Sequence, residues 1–409
     1  MTEQDVLRLD AEDPLAPLRA RFAVPEGVTY LDGNSLGPPL HTARAAMDAV
    51  IAEQWGADLI ASWNTHDWIG LPQRVGARIA PLVGGAADEV IVSDSVSVNL
   101  FKLIAAVCLA RPHRRTILTE PGNFPTDLYI AQGVAGMLAD RKVRTEPAEA
   151  IIDAIDHDTA LVLLTHVHYK SGRRHDMAAI AAAAHAKGTL VLWDLSHSAG
   201  AVAIDLAGCQ ADLAVGCGYK FFNGGPGAPG FLYVARRLQG ELQSPLAGWM
   251  GHAAPFDFDD GYRPAEGMQR FLCGTPPILA MAALDHALSV FDGIDMGLVE
   301  HKALALGDMF LELVEVQCGA FGFDLASPRE RHGRGAHISF AHPQAYAICQ
   351  ALIARRVVGD FRAPDLLRMG FAPLTTRFID VWRTVGILHD VMATGAWADP
   401  IFAIRQKVT

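Results

Sequence analysis

Three scarcities shape the reading of this chain. Cysteine is rare: six residues in 409, at 108, 209, 217, 273, 318 and 349, with no CxxC or CxC spacing. That scatter argues against a disulfide framework or a zinc site and suits reduced thiols. Uncharged apolar runs of about 18 residues are missing, so no membrane span is expected. Positive charge is short: 34 Lys and Arg against 45 Asp and Glu give a formal net charge of −11 and a pI near 5.8. An acidic chain is a poor partner for a polyanion, so no nucleic-acid binding is expected. His113-Arg114-Arg115 and Arg173-Arg174 are short basic clusters of the kind solvated loops carry. The acidic segment Met1 to Asp13 has no apolar stretch that would serve as a secretory signal, and a cytoplasmic location is expected.

Lysine is scarce too. The 34 basic residues divide into seven lysines and 27 arginines, so few amines compete for a covalent role. One of them, Lys220, follows Asp194 by 26 positions. Asp194 closes the apolar run of Thr189 to Leu192, in Trp193-Asp194-Leu195-Ser196-His197-Ser198-Ala199-Gly200. A second run from Asp212 to Gly216 then delivers Tyr219-Lys220. A carboxylate ending one strand and a lysine just past the next suit a pyridoxal phosphate (PLP) site: the acid pairs with the pyridinium nitrogen and the amine forms the Schiff base.

What is abundant supports an enzyme of this size. Hydrophobic residues make up 51 % of the chain, enough for a large core and a subunit interface. Residues 1–41 read as an irregular N-terminal arm with a Pro/Gly-rich turn from Gly33 to Pro39. Residues 42–279 alternate short β-rich runs with Ala-rich helical segments, the pattern of an α/β domain with a large, mostly parallel sheet. Strands are expected at Glu89–Val92, Thr116–Thr119, Ala160–Thr165, Thr189–Asp194, Asp212–Val215 and Gly230–Val234. Helices are expected near 97–110, 126–136, 148–155 and 176–187. Residues 280–409 read as a smaller α+β domain, with one long helical stretch over 278–317 and strands near 336–340 and 378–382.

Several motifs sit where this architecture places ligands. Asp194 at the C-terminal end of a buried strand is in the ligand-binding position of α/β sheets, and His197 follows three residues on, able to meet the cofactor. The glycines of Gly216-Cys217-Gly218-Tyr219-Lys220 permit close backbone approach. A lysine flanked by Tyr219, Phe221 and Phe222 is poorly placed for solvent, and desolvation lowers an amine's pKa, which suits a nucleophile and proton shuttle. Ser93-Asp94-Ser95-Val96-Ser97 follows a strand and opens a helix, an arrangement that fits either phosphate binding or plain capping. Asn123-Phe124-Pro125-Thr126-Asp127 offers a stacking ring and polar atoms, and fits ordinary helix entry equally. Arg368 lies inside an apolar segment and reads either as a clamp for a substrate carboxylate or as an interface salt bridge. Gly225 to Gly230 spells G-x-G-x-x-G, but it contains two prolines and precedes a strand, so it is no dinucleotide fingerprint. Thr165-His166-Val167-His168 shows no third ligand, and no metal is expected.

Together these segments resemble the kynureninase family, PLP enzymes of the aspartate aminotransferase fold (fold type I). The resemblance runs through most of the chain. It covers Tyr30 to Gly37, Asn123 to Asp127, Trp193 to Gly200, Gly218 to Phe221, Gly248-Trp249-Met250-Gly251-His252, Gly274-Thr275-Pro276-Pro277 and Phe361-Arg362 to Arg368-Met369-Gly370-Phe371. It implies that Lys220 is the Schiff-base lysine and Asp194 the pyridinium partner. It further implies cofactor contacts at His197, Thr165 and Thr126, with Tyr219 near the phosphate and a proton donor. Val96 and Ser97 would hold the phosphate, while Phe124 and Asp127 flank the ring. Trp249 and Thr275 resemble residues contributed across a dimer interface, which implies an obligate homodimer. Arg368 resembles the clamp for the substrate α-carboxylate, and Trp63 an aromatic lining of the substrate pocket. Gly274-Thr275 stands in place of a Ser-Asn pair associated with 3-hydroxykynurenine, so the chain resembles the bacterial type that prefers L-kynurenine. Met369 departs from the phenylalanine expected after the arginine.

The activity so implied is hydrolysis of L-kynurenine, with 3-hydroxy-L-kynurenine as a further substrate, to anthranilate (or its hydroxy form) and L-alanine in tryptophan catabolism. The rival on the same fold is a cysteine desulfurase or related β-lyase. It would need a nucleophilic cysteine on a mobile loop in the last third of the chain, where Cys318 and Cys349 lie. A non-catalytic regulator would need a fused DNA-binding module, and no basic N-terminal segment is visible.

Overall fold

Seven short segments pair into one large sheet: β1 (Val90–Val92), β2 (Thr116–Thr119), β3 (Lys142–Thr145), β4 (Thr159–Thr165), β5 (Leu190–Asp194), β6 (Leu213–Cys217) and β7 (Gly230–Val234). Their spatial order is β1-β7-β6-β5-β4-β2-β3. Strands β2 to β6 run parallel, and β7 runs antiparallel between β6 and β1. Strands β4 to β7 are buried along their whole length, which is why they read as continuous Leu/Val runs without alternation. The structure is a computed structural model and describes residues 1–406.

Nine helices matter to the argument: α1 (Glu3–Glu12), α2 (Leu71–Ile79), α3 (Val96–Ala110), α4 (Pro125–Met137), α5 (Met177–Ala186), α6 (Ile278–Leu288), α7 (Met296–Cys318), α8 (Ala345–Ala354) and α9 (Phe378–Ala393). Among them α3 packs on β4, β6 and β7. Its side chains from Leu100 to Cys108, apart from Phe101, are buried on both sides of the helix, as its near-uniform apolarity dictates.

A second sheet forms from β8 (Asp324–Leu325), β9 (His337–Ala341), β10 (Asp360–Arg362) and β11 (Leu366–Gly370), antiparallel in the order β10-β11-β9-β8. Here the side chains alternate. Ile338, Phe340, Leu367 and Met369 enter a core shared with α7, α8 and α9. Their neighbours His337, Ser339, Arg368 and Gly370 belong to the opposite face. That polar face meets the loop after β4, where the Ser339 hydroxyl and the Arg368 guanidinium donate to the carbonyls of Lys170 and Tyr169.

Three expectations are corrected. Residues 378–382 are not a strand but the first turns of α9. Their β-branched and aromatic composition suggested extension. However, Val381, Val385, Leu388 and Val391 fall on one buried helical face, and the helix start is capped twice over. Asp380 accepts from Arg377 N at 2.9 Å, and Asp10 accepts from Phe378 N and Ile379 N at 2.7 and 3.0 Å. The N-terminal arm is not irregular throughout. Thr2 and Asp5 form a capping box for α1, which sends Val6 into the α7/α9 core. The helical stretch over 278–317 is broken between α6 and α7, where Gly293 takes a positive φ of 75°. The edge strand β3 went unread because Lys142-Val143-Arg144-Thr145 carries no apolar run.

Candidate active site

The C-terminal edge of the large sheet assembles the site. Parallel register sets Thr165 of β4 beside Asp194 of β5, and Asp194 beside Val215 of β6. The chain leaves β6 through Gly218-Tyr219-Lys220 and turns back at Asn223, whose φ is 59°. Gly37, from the N-terminal segment, donates its N–H to the Tyr219 carbonyl at 2.9 Å. A Cβ there would fall 2.3 Å from the Lys220 carbonyl oxygen, so only glycine permits this approach. One pocket is lined by Val96, Ser97, Phe124, Thr126, Asp194, His197, Tyr219 and Lys220, together with Ser95, Ser196, Cys217, Ala228 and Gly230.

Within the pocket the Lys220 side chain is buried, and its Nζ lies 2.9 Å from His197 Nε2. The Phe124 and Tyr219 rings stand on either hand, each with its centroid 5.9 Å from that nitrogen. Burial pulls the lysine pKa down, opposed in part by Cys217 and Asp194. Burial and the neighbouring Lys220 hold His197 well below the usual imidazole range. The Tyr219 phenol is pushed up by burial and by Cys217 and Asp194, and so stays protonated.

Asp194 accepts from Ser196 N at 2.8 Å and Ser196 Oγ at 2.6 Å. Burial raises its pKa; Ser196 and Lys220 work the other way. Asp127 is fully buried beside it, pushed up by burial and by the Asp194 charge. The Thr165 hydroxyl sits 3.2 Å from Asp127 Oδ2 and also against the Asn123 side-chain oxygen.

Arg368 stands on the small-sheet side with 1 % of its surface exposed. Its Nε donates to Asp360 Oδ1 at 2.8 Å and its Nη2 to Asp360 Oδ2, a bidentate pair. Nη2 also reaches Ser35 Oγ at 3.2 Å, while Nη1 donates to the Tyr169 carbonyl. With its amide oxygen turned to the guanidinium, Asn34 accepts from Nε and Nη2 at 3.1 and 3.0 Å. The guanidinium is therefore held from three sides before any substrate arrives.

Not every expected residue is gathered here. Trp63 is half-buried and packs edge-on against Trp68 at 5.9 Å. Trp249 is 39 % exposed and stacks edge-on with Phe256, and Gly274 and Thr275 are exposed. None of the four is among the described residues lining the Lys220 pocket, and Thr165, Asp127 and Arg368 also lie outside that lining. His168 is engaged by Ser171 and the Gly122 carbonyl, and His166 by Arg174. Residues that sequence reasoning passed over also meet here: Asp360, Asp32, Ser35 and His337. Asp360 and His337 lie on the alternating polar face of short strands, and that alternation is the signal that would have found them.

The pocket fits PLP. It offers one buried amine with a lowered pKa, and a buried carboxylate, Asp194, at a strand end. Asp127 Oδ1, buried beside Asp194, has no hydrogen-bond partner among the described residues, so polar capacity remains for a ligand. Gly230 leaves the backbone N–H of Val96 uncovered; a Cβ there would come within 3.1 Å of that nitrogen.

Fold and site thus define a fold type I PLP enzyme. A cysteine desulfurase from Thermococcus onnurineus NA1 shares the fold, with a TM-score of 0.76 over 96 % of this chain and 99 % of that one at 18 % identity. The sequence comparisons go further. Residues 299–388 match the kynureninase C-terminal domain. The chain is 50 % identical to the kynureninase of Burkholderia mallei (strain SAVP1) over 415 residues, covering 100 % of both. It is 49 % identical to that of Pseudomonas fluorescens over 414 residues, again covering 100 % of both. The chain belongs to the kynureninase family.

Proposed function

We infer that this chain is a kynureninase, a PLP-dependent hydrolase that cleaves the Cβ–Cγ bond of L-kynurenine to give anthranilate and L-alanine. Full-length identity to kynureninases is the observation that carries the reading. When bound, PLP supplies an electron sink for the charge left at Cα.

The residue roles are our proposal. Lys220 would hold the cofactor, and its free amine would take the Cα proton of the substrate. The lowered pKa of the buried amine suits that duty. Asp194, at the end of β5, would pair with the pyridine nitrogen and favour its protonated form. Val96 and Ser97 at the start of α3 hold the phosphate through backbone and hydroxyl donors. Phe124 and His197 bound the ring, with Thr126, Asp127 and Thr165 as polar contacts. Water adds to the γ-carbonyl, the Cβ–Cγ bond breaks so that Cγ leaves as the anthranilate carboxylate, and Tyr219, whose phenolic proton is firmly held, would deliver that proton to Cβ. Arg368, fixed by Asp360, orients the substrate α-carboxylate, which aligns the breaking bond. The site lies between segments 42–279 and 280–409, which we treat as large and small domains, with 1–41 bridging them as an arm.

Homodimerisation is part of the same reading. Trp249, Phe256 and Phe258 form an edge-to-face aromatic row that is 39 %, 57 % and 77 % exposed, and such a patch suits a protein interface. A second copy would cover the row and carry Trp249 and Thr275 toward the neighbouring pocket, with Gly274 and Trp63 near the substrate ring. A cytoplasmic place in tryptophan catabolism fits this activity, and no helix among the described residues is long and apolar enough to cross a membrane. The desulfurase alternative is weakened by Cys318 and Cys349, both fully buried and both within helices.

The test compares kcat/KM for L-kynurenine, 3-hydroxy-L-kynurenine and L-cysteine on PLP-loaded protein. The expected order places L-kynurenine first, with no sulfide from L-cysteine. Sulfide release without anthranilate would transfer the assignment to the desulfurase.

A further inference from the structure

His337 opens β9 on the face that carries Ser339 and, across the ladder, Gly370 and Arg368. It has no exposed surface, and its ring nitrogens make no hydrogen bond of good geometry among the described residues, the backbone of His168 being the one nearby group that could accept from the ring. A buried polar group left unpaired costs on the order of 1–3 kcal/mol, so a fold that buries an imidazole with at least one ring nitrogen unpaired calls for a reason. The ring lies over Gly172, where an added Cβ would come within 3.4 Å of His337 Cδ2 and Nε2. It meets the His197 ring at a centroid distance of 5.7 Å and an angle of 60°. His197 uses Nε2 toward Lys220 and leaves its own Nδ1 unpaired. Two buried imidazoles that each carry an unpaired nitrogen therefore stand side by side, and His197 touches the lysine amine.

We propose that His337 is a positioning residue for His197: through one shared water it completes the hydrogen bonding of His197 Nδ1 and so fixes the His197 ring against Lys220 and the cofactor. Buried waters typically serve such otherwise unsatisfied groups. Both imidazoles are neutral at working pH, His197 through burial and Lys220, His337 through burial and Arg368. Each ring then has one donor and one acceptor nitrogen, and a donor on His197 Nδ1 leaves Nε2 as acceptor for an N–H of Lys220. The charged and titratable groups facing the pair come from three places. They are Lys220 after β6, His168 after β4, and Arg362, Arg368 and Asp360 on the small sheet. Because β9 and β11 are hydrogen-bonded neighbours, one sheet places both the carboxylate clamp and the support for His197. The inference rests on the reading of the Lys220 pocket as the PLP site.

The test uses the PLP-loaded protein with His337→Leu and His337→Gln, the amide keeping one donor and one acceptor. Three quantities are read: PLP retained after dialysis, the pH midpoint of the visible band of lysine-bound PLP, and kcat and KM for L-kynurenine. For His337→Leu we expect retained PLP, a midpoint displaced by about 0.5–1 pH unit, the scale of one lost hydrogen bond, and kcat reduced about tenfold at unchanged KM. His337→Gln should return both midpoint and kcat most of the way to the parent. A Leu variant with the parent's midpoint and kcat would overturn the proposal, as would Leu and Gln variants impaired alike. If the parent makes no anthranilate, the midpoint still reports on His337, so failure of the activity and failure of this inference are separable.

Discussion

Arg368 is a residue whose type was legible and whose environment was not. An arginine in an apolar segment announces a buried charge, and a buried charge demands a partner. The sequence does not say which acid answers. Asp360, eight positions away, does so because β10 and β11 are hairpin neighbours that pair Asp360 directly with Arg368. Asp32 completes the group from the N-terminal segment. Its carboxyl is pushed up to about 7 by burial and by the Asp360 charge. A carboxyl whose folded pKa is raised stabilises the fold below its unfolded value of 3.8, and that contribution is lost as pH rises toward 7. Asp32→Asn removes the titration. Measured by denaturant unfolding, the stability of the variant relative to the parent should therefore grow between pH 4 and pH 7 and level off above. A constant difference across that range would show that Asp32 does not hold its proton as described. Lys220, Asp194 and Phe124 were legible in a fuller sense, because strand-end and helix-entry positions fix where their side chains go.

Among the elements, the buried parallel strands could be read to within a residue or two. Only continuous apolar runs survive burial on both faces, so β4 to β6, and the antiparallel β7 beside them, could hardly have been written otherwise. The failures came where long-range contacts decide. Residues 378–382 have the composition of a strand, and α9 forms because its later residues supply a helical apolar face and Asp10, some 370 positions earlier, caps its first N–H groups. No local window contains that information. Asp10→Ala should cost about 1 kcal/mol, the usual worth of a lost helix cap, read as a lower midpoint in urea unfolding with unchanged slope. No shift in midpoint would mean that α9 holds its start without α1.

At the scale of the whole molecule, the single chain forms the Lys220 pocket but leaves Trp249, Thr275, Gly274 and Trp63 outside its lining. Sequence resemblance supplied those positions, and for Trp249 and Thr275 chain geometry alone could not, because their proposed place is beside a second copy. Phe258→Asp should therefore yield monomers by sedimentation, with PLP weakly held and anthranilate production lost, although Phe258 lines no part of the Lys220 pocket. A fully active monomer would remove the dimer from the account. The central claim is that this fold hydrolyses L-kynurenine through Lys220, and it is tested most directly by anthranilate fluorescence from PLP-loaded parent and Lys220→Ala side by side. The account predicts steady anthranilate release from the parent and a fall of at least ~10³-fold in the variant, the scale expected when a reacting acid–base group is removed. Equal anthranilate from both, or a PLP-loaded parent that releases none, would contradict it.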